Sequence, residues 1–245
     1  MRKRLAVMLL VLLICTVLLV PAQAETGLEY FRVRGGNPES RKIAITMDDV
    51  NYPQYVWKAV ELCRQYGITM TFFPNGCNIH EEDADNWRDV VASGCEIGSH
   101  GYYHTRLKDL DNPSRLLYRL GYQQETLDRI LGYHYEIRWY RPPYGSLEGP
   151  DGSERKHTET IRRFGYEHAL LWNVSENDPN KAIRKVRNGS ILLYHAQKKD
   201  YDCLVKLIPM LLEAGYEPVT VSELFGYDPP EISEELYIYN EDDYR

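Results

Sequence analysis

The sequence is poor in the features that most directly announce a mechanism. It has five cysteines in 245 residues, widely spaced and with no Cys-x-x-Cys pair, which argues against a cysteine-based zinc cluster. No Gly-x-Ser-x-Gly elbow occurs, so a serine-triad hydrolase has little support. No internal repeat is found. Basic residues are in deficit, 29 Lys and Arg against 36 Asp and Glu for a net charge of −7, and that disfavours nucleic acid or another polyanion as the main partner. Only one long apolar run is present, at 5–20; no later stretch is suited to crossing a membrane.

That single run follows Met1-Arg2-Lys3-Arg4 and leads into Ala22-Gln23-Ala24, the layout of a secretory signal with a small-residue cleavage site. The alternative is an uncleaved anchor, because the run is only slightly shorter than the roughly 17 to 25 residues that span a bilayer. Cys15 lies inside the run and follows Ile14, which does not fit a lipoprotein. Without residues 1–24 the chain has 221 residues and a net charge of −10, since the leader carries three basic and no acidic side chains. This is enough for one large domain with a sizeable core. The remaining Cys63, Cys77, Cys95 and Cys203 leave three two-disulfide pairings open, or buried thiols.

From Arg41 onward the pattern alternates. Strands are expected at 42–47, 68–73, 95–97, 136–140, 168–172, 191–194 and 218–221, and helices at 54–65, 83–92, 112–131 with Asn112 as N-cap, 152–164 and 201–214. Alternation of this kind implies parallel pairing with right-handed crossovers, in a closed or nearly closed barrel or an open doubly wound sheet. In either, a site forms beyond the carboxyl ends of the strands. Asp48, Asp49, His100, His104, Arg141, Tyr144 and His195 all fall there.

His100 and His104 stand four apart in Glu96-Ile97-Gly98-Ser99-His100-Gly101-Tyr102-Tyr103-His104. On a helical turn both imidazoles would share one face and reach one cation, needing a carboxylate to help complete its shell. Asp48 and Asp49 end the first strand; neighbouring strand side chains face opposite ways, so both serve one site only where the strand breaks, a role expected of Asn51 and Pro53. A division of labour then makes sense, with one carboxylate on the metal and the other taking a proton from the attacking water.

Thr46-Met47-Asp48-Asp49, Ser99-His100-Gly101-Tyr102-Tyr103-His104, Arg141-Pro142-Pro143-Tyr144-Gly145 and Leu193-Tyr194-His195 resemble, in order, the motifs of the polysaccharide deacetylase (NodB homology, carbohydrate esterase family 4) domain over about 42–221. The resemblance implies an α/β fold, a distorted (β/α) barrel with about seven parallel strands. It also implies metal-dependent removal of acetyl groups from N-acetylated sugars, with water activated at the metal as nucleophile. Carried over by position, Asp48 is the general base, and Asp49, His100 and His104 are the metal ligands. Arg141 orients the base, the Tyr144 backbone N–H stabilises the oxyanion, and His195 is the general acid. Leu193 and Tyr144 wall the acetyl pocket. Zinc suits an Asp-His-His set, with cobalt or another divalent ion also able to occupy it.

Three departures accompany the match. Val50 stands where the family usually has Gly, and Gly101 replaces the usual Ser or Thr beside the first histidine. Ser175 and Pro179 occupy the Asp and Trp positions of the Asp-x-x-Asp-Trp motif, whose first Asp supports the acid histidine in the family; Glu176 and Asp178 are the nearby carboxylates able to substitute. The expected organisation is a signal peptide at 1–24, a lead-in at 25–40, a deacetylase domain at 41–226 and an acidic, tyrosine-rich tail at 227–245. The expected protein is a monomer, secreted or associated with the cell wall, acting on peptidoglycan, chitin-like oligomers or an acetylated exopolysaccharide. It has no stable membrane partner if the signal is cleaved. Two rivals remain: a carbohydrate-binding protein without efficient turnover, and an esterase for O-acetylated sugars.

Overall fold

The computed structural model describes residues 31–240 and 242. The expected signal at 1–24, part of the lead-in and the end of the tail lie outside them. Among the described residues no helix is long and apolar enough to cross a membrane.

Among the described residues nine strands run β1 Arg32–Val33, β2 Lys42–Asp49, β3 Thr71–Pro74, β4 Glu96–Ile97, β5 His134–Tyr135, β6 Ala169–Leu170, β7 Ile191–His195, β8 Glu217–Val219 and β9 Ile232–Ser233. The α-helices are α1 Gln54–Tyr66, α2 Ala84–Ala92, α3 Pro113–Leu131, α4 Arg155–Phe164, α5 Pro179–Lys185, α6 Lys198–Glu213 and α7 Val221–Phe225. Local chemistry accounts for several boundaries. Asn112 accepts the Ser114 N–H at 2.9 Å ahead of Pro113 to start α3, and Gly67, in the left-handed region at φ 64°, ends α1.

The centre is a parallel sheet ordered β4-β3-β2-β7, with β8 also paired to the start of β2. Single-residue bridges complete the circuit. Ser99 beyond β4 pairs with Tyr140, Tyr140 pairs with Ala169 in β6, and Val174 beyond β6 pairs with Leu192 in β7, all parallel. The ring therefore closes into a distorted parallel barrel whose far side is held by bridges rather than long strands. β2 explains the packing: Ile43, Ile45 and Met47 join the large core between sheet and helices. Ala44, one position out of phase, belongs to a smaller cluster with Phe73, Trp139, Leu170 and Ile191 that fills the lumen. Thr46 and Asp48 continue the Ala44 face upward, so the acid sits at the carboxyl mouth on top of a filled barrel.

The structure moves several expected boundaries. The expected strand at 136–140 contributes only the bridge at Tyr140, while β5 precedes it and pairs antiparallel with β9 in the tail segment. Edge pairing of this kind needs only two residues and leaves no periodic signal. The expected strand at 68–73 begins at Thr71; helices α5 and α7, of seven and five residues, fall below the length at which periodicity is visible. Cys63 on α1 and Cys95 before β4 are in hydrogen-bonding contact, whereas Cys77 lies against Asn78 and Cys203 against the Glu176 carbonyl. All four are free thiols.

Candidate metal centre

The end of β2 departs from regular strand geometry at the acids themselves. Asp49 and Val50 both have left-handed backbone, φ 71° and 59°, which is unfavourable for a β-branched residue. This turn lets Asp48 and Asp49 address one mouth, so the break lies at Asp49 and Val50 rather than at the expected Asn51 and Pro53. The Val50 side chain is buried.

The histidine segment is also not the helical turn that its spacing suggested. It is an irregular loop leaving β4, with Gly101 at φ 75°, a conformation suited to glycine. The loop is fastened by Gly76 N–H to the Gly101 carbonyl at 3.0 Å and Cys77 N–H to the Tyr102 carbonyl at 2.9 Å. Gly98 has a different reason: a Cβ there would lie 2.3 Å from the Phe73 ring. The outcome still brings the two imidazoles together, 5.1 Å apart by ring centres.

Asp49, His100 and His104 offer three donor atoms within 4.8 Å of one another. The Asp49 Oδ1 lies 3.3 Å from His100 Nε2 and 3.4 Å from His104 Nε2, yet it is buried and makes no hydrogen bond. A buried carboxylate oxygen without a hydrogen bond, faced by two imidazole nitrogens, fits a cation rather than a polar cluster. His100 Nδ1 meets the Arg141 carbonyl at 2.7 Å; a carbonyl only accepts, so Nδ1 carries the proton and Nε2 presents a lone pair. Burial lowers the His104 imidazole, against the opposing pull of Asp49, so it too remains an available donor. Burial alone would raise the Asp49 carboxyl, but His100, His104 and His195 together hold it below the usual range.

Asp48 is held differently. Its Oδ1 accepts from Arg141 Nη1 at 2.6 Å, and its Oδ2 stands 4.0 Å from His100 Nε2. Both partners are buried, with side-chain exposures of 0% and 3%. Arg141 Nη1 also donates to Thr46 Oγ1 at 2.7 Å, and Nε to the Leu170 carbonyl at 3.3 Å. Tyr144 has φ 61° and lays its exposed ring 4.4 Å from His104, with the Arg106 guanidinium 3.8 Å over the same ring. Leu193 lies elsewhere, in a cavity of about 160 Å³ shared with His195, Ser175 and Asp200. A second cavity of about 200 Å³ joins His195 to Asp49, Asn51 and Lys199, so His195 stands between the two.

Arg106 and Asp200 carry no motif signal of their own, and Thr46 stands in the first motif with no role read for it from the sequence. Asp200 lies just outside the helix expected at 201–214, and it is the structure that starts this helix at Lys198 and puts Asp200 in its first turn. Glu176 and Asp178 are engaged with other partners: Glu176 lines the same cavity as His195 but binds Lys185 at 3.0 Å, and Asp178 caps α5 by accepting from the Asn180 and Lys181 N–H groups.

The polysaccharide deacetylase family profile matches residues 35–169. A peptidoglycan-N-acetylglucosamine deacetylase of Bacillus cereus is 29% identical over 211 residues, covering 78% of this chain and 91% of that protein. An uncharacterised protein of Bacillus subtilis is 25% identical over 198 residues; the match covers 77% of this chain, which spans only 59% of that relative's length. A solved structure of a pseudoenzyme of carbohydrate esterase family 4 from Bacillus anthracis shares the fold, with a TM-score of 0.69, 21% identity, and coverage of 84% of this chain and 72% of that one. With the profile spanning more than half of the 245 residues, the chain belongs to the polysaccharide deacetylase family.

Proposed function

We propose that the protein is a metal-dependent deacetylase that hydrolyses N-acetyl groups on an extracellular polysaccharide, with peptidoglycan as the favoured substrate. The observation that carries this reading is the separation of the two adjacent acids. Asp49 converges with His100 and His104, while Asp48 is pinned by Arg141 and kept out of that trio. Asp49, His100 and His104 would hold one divalent cation, for which zinc suits the donor set and cobalt is an alternative. Such a cation supplies Lewis acidity for the attacking water and the acetamide carbonyl.

The chain's own residues supply the rest. Asp48, oriented through Oδ1 by Arg141, takes the water proton on Oδ2. The Tyr144 backbone N–H, held in its left-handed turn, donates to the developing oxyanion. His195 delivers a proton to the sugar nitrogen, because an amine leaves an amide only when protonated. Tyr144 flanks the acetyl group from the His104 side, while Leu193 lines the separate cavity on the other side of His195. The peptidoglycan assignment draws on the relative from Bacillus cereus, and the apolar leader composition of 5–20 supports action at the cell wall or outside the cell.

The test is acetate release from peptidoglycan and N-acetylglucosamine oligomers by the chain after chelation and after zinc or cobalt is restored. Release is expected only with metal, and Asp48→Asn is expected to lower kcat by about 10²–10⁴-fold while metal binding survives. Full activity in Asp48→Asn would refute the base assignment. Ser175 favours a second reading, a glycan-binding protein without turnover; tight glycan binding with no acetate release at any metal loading would establish it.

A further inference from the structure

Ser175 stands where the family motif carries the carboxylate that supports the acid histidine, and neither Glu176 nor Asp178 takes its place. A different carboxylate does reach His195. Asp200 lies in the first turn of α6, its side chain 5% exposed, with Oδ2 3.4 Å from His195 Nδ1. The same oxygen accepts the His195 backbone N–H at 2.8 Å and the Gln197 Nε2 at 3.1 Å. One carboxylate oxygen thus meets both the main chain and the ring of a single residue, which fixes the imidazole relative to the end of β7.

The placement follows from the connection. β7 ends at His195, a tight turn sets Gln197 N–H on the His195 carbonyl at 2.7 Å, and α6 begins at Lys198. Two residues into the helix, a carboxylate can reach back over the turn. The partial positive charge of the helix N-terminus favours its ionised form. With Nδ1 engaged by Asp200, Nε2 is the ring nitrogen left for the Asp49 side, where His195 lines the second cavity.

We propose that Asp200 is the positioning residue of His195, supplying from α6 the carboxylate that is missing at Ser175. This rests on the deacetylase reading. In the step it serves, water's oxygen bonds to the acetyl carbon and the C–N bond breaks. One water proton goes to Asp48, and the Nε2 proton of the His195 imidazolium goes to the departing nitrogen. The imidazole is left neutral, keeping its own Nδ1 proton directed at Asp200 Oδ2. The direction of the electrostatics agrees. Asp200 raises the His195 imidazole above its ordinary range against the opposing effect of burial. Burial would raise the Asp200 carboxyl, but His195 and Gln197 hold it low.

Asp200 could instead serve only to tie α6 to β7, and one substitution separates the roles. In Asp200→Asn the amide oxygen still accepts from the His195 and Gln197 N–H groups, while the negative charge is gone. Metal-loaded full chain, Asp200→Asn, and Asp200→Asn with Ser175→Asp are compared on an N-acetylglucosamine oligomer and on an aryl acetate, whose phenolate leaves without a proton. The amide kcat is expected to fall by about 10²-fold or more in Asp200→Asn with KM little changed, and the ester rate to stay within about threefold. Because Ser175 lines the same cavity as His195 and Asp200, Ser175→Asp is expected to recover at least about tenfold of the amide rate. Independently of turnover, the proton spectrum should show a far-downfield His195 Nδ1–H resonance that Asp200→Asn removes. Equal loss on amide and ester, or an amide rate within threefold of the parent, would overturn the proposal. If the parent releases no acetate at all, the deacetylase reading fails, and the Nδ1–H resonance alone decides whether Asp200 holds His195.

Discussion

Replacing Arg141 by Met is the most severe single test of the barrel mouth, because it keeps much of the aliphatic volume and removes only the charge and its donors. Arg141 is fully buried and meets a 3%-exposed Asp48 at 2.6 Å. Its guanidinium carbon packs 4.3 Å from the Phe73 ring centre, a contact that a Met side chain partly retains. The abandoned Oδ1 loses its buried charged partner, and breaking one side of a buried pair costs about 3–5 kcal/mol. Against a total stability of about 5–15 kcal/mol for a domain, this is a large fraction. With a urea slope of about 2 kcal/mol/M the midpoint should fall by about 1.5–2.5 M.

The assay is urea unfolding followed by circular dichroism at pH 7 with chelator present, so that metal binding does not add its own stabilisation. Parent, Arg141→Met, Asp48→Asn and the double variant complete the cycle. The double variant removes both charges, so its cost should fall short of the sum of the singles by about 2 kcal/mol or more. If Arg141→Met unfolds within 1 kcal/mol of the parent, or the cycle is additive, the pair is solvated and the account of how Asp48 is oriented is wrong.

Zinc at about 100 times its Kd should stabilise the parent by about 2.7 kcal/mol, and Asp49→Ala should lose that increment in a thermal melt; an unchanged increment would remove Asp49 from the ligand set. Val50→Gly relieves a left-handed strain of about 1–2 kcal/mol but gives up a buried isopropyl group worth about 1.5–3 kcal/mol and adds chain entropy of about 0.5–1 kcal/mol. Net destabilisation of about 1–2 kcal/mol is expected in urea, and a more stable variant would show that strain dominates. The deficit of Asp200→Asn should depend on pH in both directions. The Asp200 carboxyl is held low in the folded state, so its contribution is present above the unfolded value of about 3.9 and lost as pH falls through the lower folded one. The His195 imidazole is held high, so its contribution is complete below about 6.5 and lost as pH rises through the folded value. The difference in urea midpoint between parent and variant, with chelator present, should be greatest between about pH 4 and 6.5; a constant difference from acid to alkaline pH would sink this assignment.

The fold was legible in proportion to the length and burial of each element. β2, with six consecutive buried residues, and the 19-residue α3 with its Asn112 cap show plainly, because a long periodic or apolar run outweighs local accident. β4 and β6 are two residues each, and Ser99 and Val174 join the circuit by one bridge apiece and Tyr140 by two. Nothing periodic exists at that length, so barrel closure follows from tertiary packing around Phe73, Trp139 and Leu170.

The sequence by itself determined which side chains gather at the barrel mouth: two adjacent acids at a strand end, two histidines four apart, an arginine and a terminal histidine, all at the carboxyl ends of strands. Only the tertiary structure decided how they share the work. The left-handed turn at Asp49 and Val50 turns both acids to one mouth, and the loop through Gly101, rather than a helical turn, brings His100 and His104 together. Likewise the partner of His195 is set by where α6 meets β7. Asp200 is five residues from His195 and Ser175 is twenty, and no local pattern distinguishes them. A carboxylate acts through the few ångströms around its oxygens, and those distances exist only once the chain has closed on itself.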